Sequence, residues 1–142
     1  MVGDEAKVAR ALEKCSLRIV SDGSFKQMYG AAAVRITTRS MKHSIWITCQ
    51  TPGLPDSQSA YRSELAGILA ALSVVHLLAQ VYKVSGSVTF ACDGKSALDN
   101  AFSDSVLHPK QAQFDVLSAI RSIRDVCPPS WPTNHALAHA YR

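Results

Sequence analysis

The sequence predicts an α/β domain built on a mixed five-stranded sheet, an antiparallel meander followed by parallel strands, with helices packed on its faces. Three observations predict it. Residues 16–21, 30–38 and 42–49 are β-branched, partly alternating runs that follow one another before any helical pattern begins. Tyr61, Leu65, Ile68, Leu69, Leu72, Val75 and Leu78 then recur at the helical period over one long stretch. Beyond that stretch strand and helix patterns alternate, the order that builds parallel crossovers.

Taken along the chain, residues 1–15 mix Asp4, Glu5, Lys7, Arg10 and Glu13 with alanines. They lack the apolar centre of a signal peptide and are expected to be an extension ahead of a single domain spanning the chain. The first strand, 16–21, is expected to stop at Asp22-Gly23, a strong hairpin-turn signal. Thr38-Arg39-Ser40-Met41 supplies the turn between the next two strands. Residues 51–57 carry Pro52, Gly53 and Pro55 and read as a loop. Ser57 or Ser59 can cap a long helix that runs to about Tyr82 and stops before Ser85-Gly86. Residues 87–92 form the fourth strand, and a short helix is expected from Lys95 to Phe102. A further helix, from about Lys110 to Val126, carries Phe114, Leu117, Ile120, Ile123 and Val126 on one face. Cys127-Pro128-Pro129 ends it, and 133–138 supplies the last strand.

Composition narrows the function classes. With 142 residues, 47% hydrophobic and 18% charged, the chain is long enough to bury a core without disulfides or structural metal. A formal charge of +4 suits a polyanionic partner, although the basic residues are scattered rather than clustered. Cys15, Cys49, Cys92 and Cys127 form no CxxC pair, which argues against a zinc ribbon and for a reducing, intracellular setting. The longest apolar stretch is broken by Gly67, Ser73, His76 and Gln80, so a buried helix is expected and no membrane partner.

Topology brings three acids to one rim. In a meander the first and third strands run the same way, so the long helix starts where the first strand finishes. Glu64 lies in its opening turns. A crossover then makes the fourth strand parallel to its predecessors, and Asp93 follows that strand directly. Asp22, Glu64 and Asp93 are thus expected at the carboxyl ends of the strands, where open α/β sheets usually place their ligands. Glu64 also borders the apolar stripe, and a core-facing carboxylate is rare unless paired or metal-bound. Taken singly, Asp22 is an ordinary turn residue, Asp93 an ordinary N-cap and Glu64 an ordinary first-turn acid. They share one rim without having to be close; like charges brought within a few ångströms there resist ionising together unless a cation compensates them. Carboxylates with water suit Mg²⁺ or Mn²⁺. No GxSxG elbow or Cys–His pair offers a nucleophile instead.

Ser21-Asp22-Gly23-Ser24, Tyr61-Arg62-Ser63-Glu64-Leu65-Ala66 and Ala91-Cys92-Asp93-Gly94-Lys95-Ser96-Ala97-Leu98 resemble the three acidic motifs of type 1 ribonuclease H. They stand in that family's order across roughly residues 16–139. The SDGSF start is similar to ribonuclease H domains of retroelement polyproteins, which implies a reverse transcriptase polypeptide in the parent protein. The resemblance implies a ribonuclease H-like fold and hydrolysis of the RNA strand of an RNA–DNA hybrid. It implies Mg²⁺, with Mn²⁺ as substitute, held by Asp22, Glu64 and Asp93. His139 resembles the family's loop histidine, and Gly23, Ser24, Arg62 and Lys95 occupy places that imply substrate contact. The family's fourth acid has no counterpart in Ala140-Tyr141-Arg142, which implies weaker binding of a second metal. Another nuclease or transferase of the same superfamily, and a catalytically decayed hybrid-binding or scaffold module, are the competing expectations. Glu64 lies on the first long helix between the two Asp motifs, which favours ribonuclease H over integrases.

Overall fold

The computed structural model describes residues 2–14, 16–40, 42–92 and 94–126. In chain order they form β1 (Val2–Gly3), α1 (Glu5–Glu13), β2 (Leu17–Lys26), β3 (Tyr29–Thr38), β4 (Ser44–Gln50), a 3₁₀ turn (Pro55–Ser57), α2 (Ala60–Tyr82), β5 (Val88–Cys92), α3 (Lys95–Phe102) and α4 (Phe114–Val126). The sheet order is β1-β4-β3-β2-β5. β2, β3 and β4 make the expected antiparallel meander, and β5 pairs parallel to β2 with Ser21 opposite Cys92.

Several expectations change. β2 does not stop at Asp22-Gly23 but continues to Lys26, and the turn is Gln27-Met28, with φ 51° and 67°. Both turn residues are left-handed, the backbone that matches the twist of a two-residue hairpin. Asp22-Gly23 stays in the ladder opposite Ala33 and Ala32. Residues 2–14 are also integral to the domain rather than an extension of it. β1 pairs with β4 at the sheet's edge, and α1 buries Val8, Ala9, Ala11 and Leu12. Five strands are described as expected, but the fifth is β1; residues 133–138 lie outside the described residues.

Period-two alternation divides the sheet into two faces. Leu17, Ile19, Val34, Ile36 and Ile45 turn inward and are buried, while Asp22, Ser24, Ala31, Ala33 and Thr48 lie on the other face and are exposed. α1 and α2 pack on the inner face, and α4 packs on α2 and α3. α2 starts at Ser59, whose hydroxyl accepts from the Arg62 N–H at 3.0 Å, and ends at Lys83 in the left-handed conformation. By length and composition α2 could cross a membrane. In this fold it is the core helix, with Leu65, Ile68, Ala71, Leu72 and Val75 fully buried. α4 begins at Phe114 rather than near Lys110, and its buried face is Val116, Leu117, Ile120 and Arg121, which leaves Val126 exposed.

Candidate active site

The contact that organises the site is between a strand and a helix backbone. A Cβ built at Gly23 would lie 2.5 Å from the Glu64 nitrogen, 2.6 Å from the Ser63 carbonyl carbon and 2.9 Å from the Glu64 Cα. Gly23 therefore serves close approach, not a turn: only a residue without a side chain lets the first turns of α2 press on β2. That contact brings Glu64 to the residue beside Asp22.

β5 arrives from the other side. Cys92 ends it opposite Ser21, and Asp93 and Asp22 follow these two paired residues in the sequence. The Cys92 thiol donates to Glu64 Oε2 at 3.1 Å and accepts from the Gly94 N–H at 3.4 Å. Gly94 is also close-packed, since a Cβ there would lie 2.9 Å from the Glu64 Cγ and 3.1 Å from its Cδ. Burial first, and then the neighbouring Glu64 charge, push the Cys92 thiol up to about 12. It stays a neutral donor that orients the carboxylate.

Asp93 and His139 lie outside the described residues. Gly23, the residue after Asp22, packs on the Glu64 backbone, while Asp22 itself is exposed on the other face of the sheet; Cys92 and Gly94, which flank Asp93 in the sequence, both lie against Glu64. Among the described residues no three His, Cys, Asp or Glu side chains form a metal-binding group. Asp22 and Glu64 are carboxylates, hard oxygen donors of the kind that suits a divalent ion such as Mg²⁺, and the thiol beside Glu64 is protonated.

The four expected substrate residues fare differently. Asp22 and Ser24 line one depression of about 490 Å³ on the open sheet face, with Ala33 and Thr48. Glu64 and Lys95 line another of about 330 Å³, between the starts of α2 and α3. Gly23 lines neither and lies against the Glu64 backbone. Arg62 is turned inward and only 5% exposed, so it does not reach a substrate on the surface. Its Nε donates to the Pro52 carbonyl at 2.6 Å, and its other nitrogens donate to Gln113 Oε1 at 2.6 Å and to both Asp115 oxygens at 2.9 and 2.6 Å. Asp115 holds the Arg62 guanidinium above its ordinary pKa, and hydrogen bonds from Arg62 hold Asp115 below the usual carboxylate range. Arg62 thus ties the 51–58 loop to the start of α4.

In the sequence Cys92 and Gly94 stand only as members of the third acidic motif, with no role of their own. The available signal was position: a polarisable donor immediately before a suspected ligand, then a glycine immediately after it. Asp115 carried no local signal, because its partner is 53 residues away.

Among solved structures the fold is similar to several ribonucleases H. The ribonuclease H domain of rv2228c from Mycobacterium tuberculosis, determined as a fusion with maltose-binding protein, has 11% identity and a TM-score of 0.61, over 88% of this chain and 86% of that one. LC11-RNase H1, solved in complex with an RNA/DNA hybrid, has 12% identity and a TM-score of 0.68, over 84% and 83%. RNase H1 from the halophilic archaeon Halobacterium salinarum NRC-1 has 10% identity and a TM-score of 0.61, over 87% and 89%. At these identities the likeness establishes the fold, which is ribonuclease H-like. No protein-family model matches the sequence, and no curated protein matches it.

Proposed function

We propose that this chain is a metal-dependent endonuclease that hydrolyses the RNA strand of RNA–DNA hybrids. The observation that carries the proposal is the backbone contact of Gly23 with Glu64, which joins the strand bearing Asp22 to the helix bearing Glu64 where β5 ends. The ribonuclease H-like fold and the ordered acidic motifs support it, as does a structural neighbour solved with a hybrid.

In this reading Asp22, Glu64 and Asp93 hold Mg²⁺, or Mn²⁺ in its place. When bound, such ions supply an activated water and stabilise the leaving oxygen of a phosphodiester. The protein's own part is positioning. Cys92 fixes the Glu64 carboxylate by donating to Oε2. Gly23 and Gly94 admit the close packing that sets its height above the sheet. Lys95, exposed at the first position of α3, supplies a cation for a phosphate. Ser24, beside Gly23 on the open face, supplies a hydroxyl to the nucleic acid. His139 takes the role of the loop histidine in product release. The SDGSF motif supports a retroelement source, with a reverse transcriptase polypeptide as neighbour in the parent protein.

The test is cleavage of an RNA–DNA hybrid against single-stranded RNA, duplex RNA and duplex DNA, with Mg²⁺, with Mn²⁺ and in EDTA. The expected result is cleavage of the hybrid's RNA strand alone, dependent on metal and abolished by Asp22→Asn, Glu64→Gln or Asp93→Asn. Cleavage that persists in EDTA, or hybrid binding without cleavage under either metal, overturns it.

A further inference from the structure

We propose that a second cavity, at the tip of the β2–β3 hairpin, binds one unpaired nucleotide of a nucleic acid held at the acidic site. The cavity measures about 550 Å³ and is lined by Lys26, Met28, Tyr29, Gln50 and Gln58, among others, with no Asp or Glu among the described residues of its wall. It is continuous with the Asp22 depression, because Ser24, Ala31 and Gln50 line both. Lys26 follows Asp22 by four residues along β2, about 13 Å at the rise of a strand. A chain lying along this strand from Asp22 reaches the cavity within a few nucleotides.

The wall has the three features a nucleotide needs. Tyr29 is 80% exposed and Met28 51% exposed at the turn, an apolar platform that the fold does not use for its own packing. Lys26 is exposed and forms no ion pair among the described residues, so its charge is available to a phosphate. The third feature is a buried acceptor. Gln58 Nε2 donates to the carbonyls of Thr51, Pro52 and Gly53 at 3.3, 3.2 and 3.2 Å. These three carbonyls set the amide's orientation, since a flipped amide would turn its own oxygen on them. Oε1 is therefore the buried end that meets no donor among the described residues. It faces Gly30, where a Cβ would lie 2.8 Å from it. Gln58 lines the cavity, and a turn of its side chain toward the opening would present this oxygen to a base amine or a ribose hydroxyl.

An aromatic platform beside a cation holds a base by its face and a phosphate by its charge. A paired base in a duplex presents no open face, so the nucleotide bound here is unpaired, as in a single-stranded extension of a hybrid. The inference rests on the proposed nuclease reading for what occupies the acidic site, but its test does not need cleavage.

Binding of a short single-stranded oligonucleotide is measured by titration in EDTA, for wild type, Tyr29→Ala and Lys26→Gln, with amide spectra following the Gln58 side chain. Both substitutions are at exposed positions and leave the core intact. The expected result is that Tyr29→Ala weakens binding about tenfold, Lys26→Gln weakens it and reduces its salt dependence, and the Gln58 amide shifts on binding. In cleavage assays, wild type then favours hybrids with a single-stranded extension over blunt ones, and both variants lose that preference while cutting blunt hybrid normally. Equal oligonucleotide binding by all three proteins, or an unmoved Gln58 amide, overturns the inference even if hybrid is cleaved. Binding that the variants lose in a protein that cuts no hybrid sustains the subsite and removes the nuclease reading instead.

Discussion

Gly23→Ala tests the contact on which the site depends. The added methyl would sit 2.5 Å from the Glu64 nitrogen and 2.6 Å from the Ser63 carbonyl carbon, both backbone atoms that no rotamer change can move. Restoring ordinary contact requires β2 and α2 to separate by about 1 Å, in an interior packed as densely as an organic crystal. The next turns of α2 resist that movement, because Leu65 and Ile68 are fully buried against the sheet. Overpacking of this kind costs about 1–3 kcal/mol, less than the stability of about 5–15 kcal/mol expected of such a domain. The variant should therefore fold. Its activity should suffer more than its stability, since a misplacement of about 1 Å in a catalytic constellation can cost about 100-fold. Urea denaturation and hybrid cleavage, measured at a temperature where both proteins are folded, give the two numbers. Thr48→Ala, a truncation on the exposed side of the same sheet, should change stability little. Wild-type stability and cleavage in Gly23→Ala would refute the claim that this contact is tight. Lost stability with undiminished cleavage per folded molecule would refute the claim that it positions Glu64.

Asp115→Asn should destabilise by about 1–2 kcal/mol near neutral pH, because it weakens two charge-assisted hydrogen bonds to an Arg62 side chain that is 6% exposed, while the 66% exposure of the Asp115 side chain tempers the loss. The folded-state pKa of Asp115 is depressed by Arg62, so its contribution is present above the unfolded value and is lost as pH falls through the folded one. The stability gap between wild type and Asp115→Asn should accordingly close in acid, and a gap that widens there refutes the pairing. Asp22→Asn and Glu64→Gln should leave metal-free stability unchanged or slightly raised, by relieving like-charge repulsion. The wild type should gain melting temperature with Mg²⁺ or Mn²⁺, and each substitution should abolish that gain, read by thermal denaturation. Cys92→Ala removes the donor to Glu64 Oε2 and should weaken metal affinity about tenfold, measured calorimetrically, with Cys92→Ser closer to wild type. With its thiol pushed up to about 12, Cys92 should resist alkylation in the folded protein at mildly alkaline pH, as read by mass spectrometry of its peptide.

What the sequence determined by itself was the local pattern. Leu65, Ile68, Leu72, Val75 and Leu78 of the α2 stripe are buried and Leu69 is half-buried, and the predicted bounds of α3 match those observed. The meander and the parallel β5 also follow the expected order. Periodicity and punctuation are written by neighbours in the chain, so a reading of neighbours recovers them. The chain order of the acids was legible for the same reason, and strand direction then placed Asp22 and the start of α2 at one rim. Tertiary packing decided the rest. Asp22-Gly23 carries a stronger turn signal than Gln27-Met28, yet the turn forms at the latter because Gly23 is needed under α2. Arg62 looks like a surface cation until Asp115 arrives from a distant element to bury its charge. Residues 2–14 have little strand or core signal of their own. Their place is set by the open edge of β4 and the apolar face beside α2, surfaces that exist only once the sheet has formed.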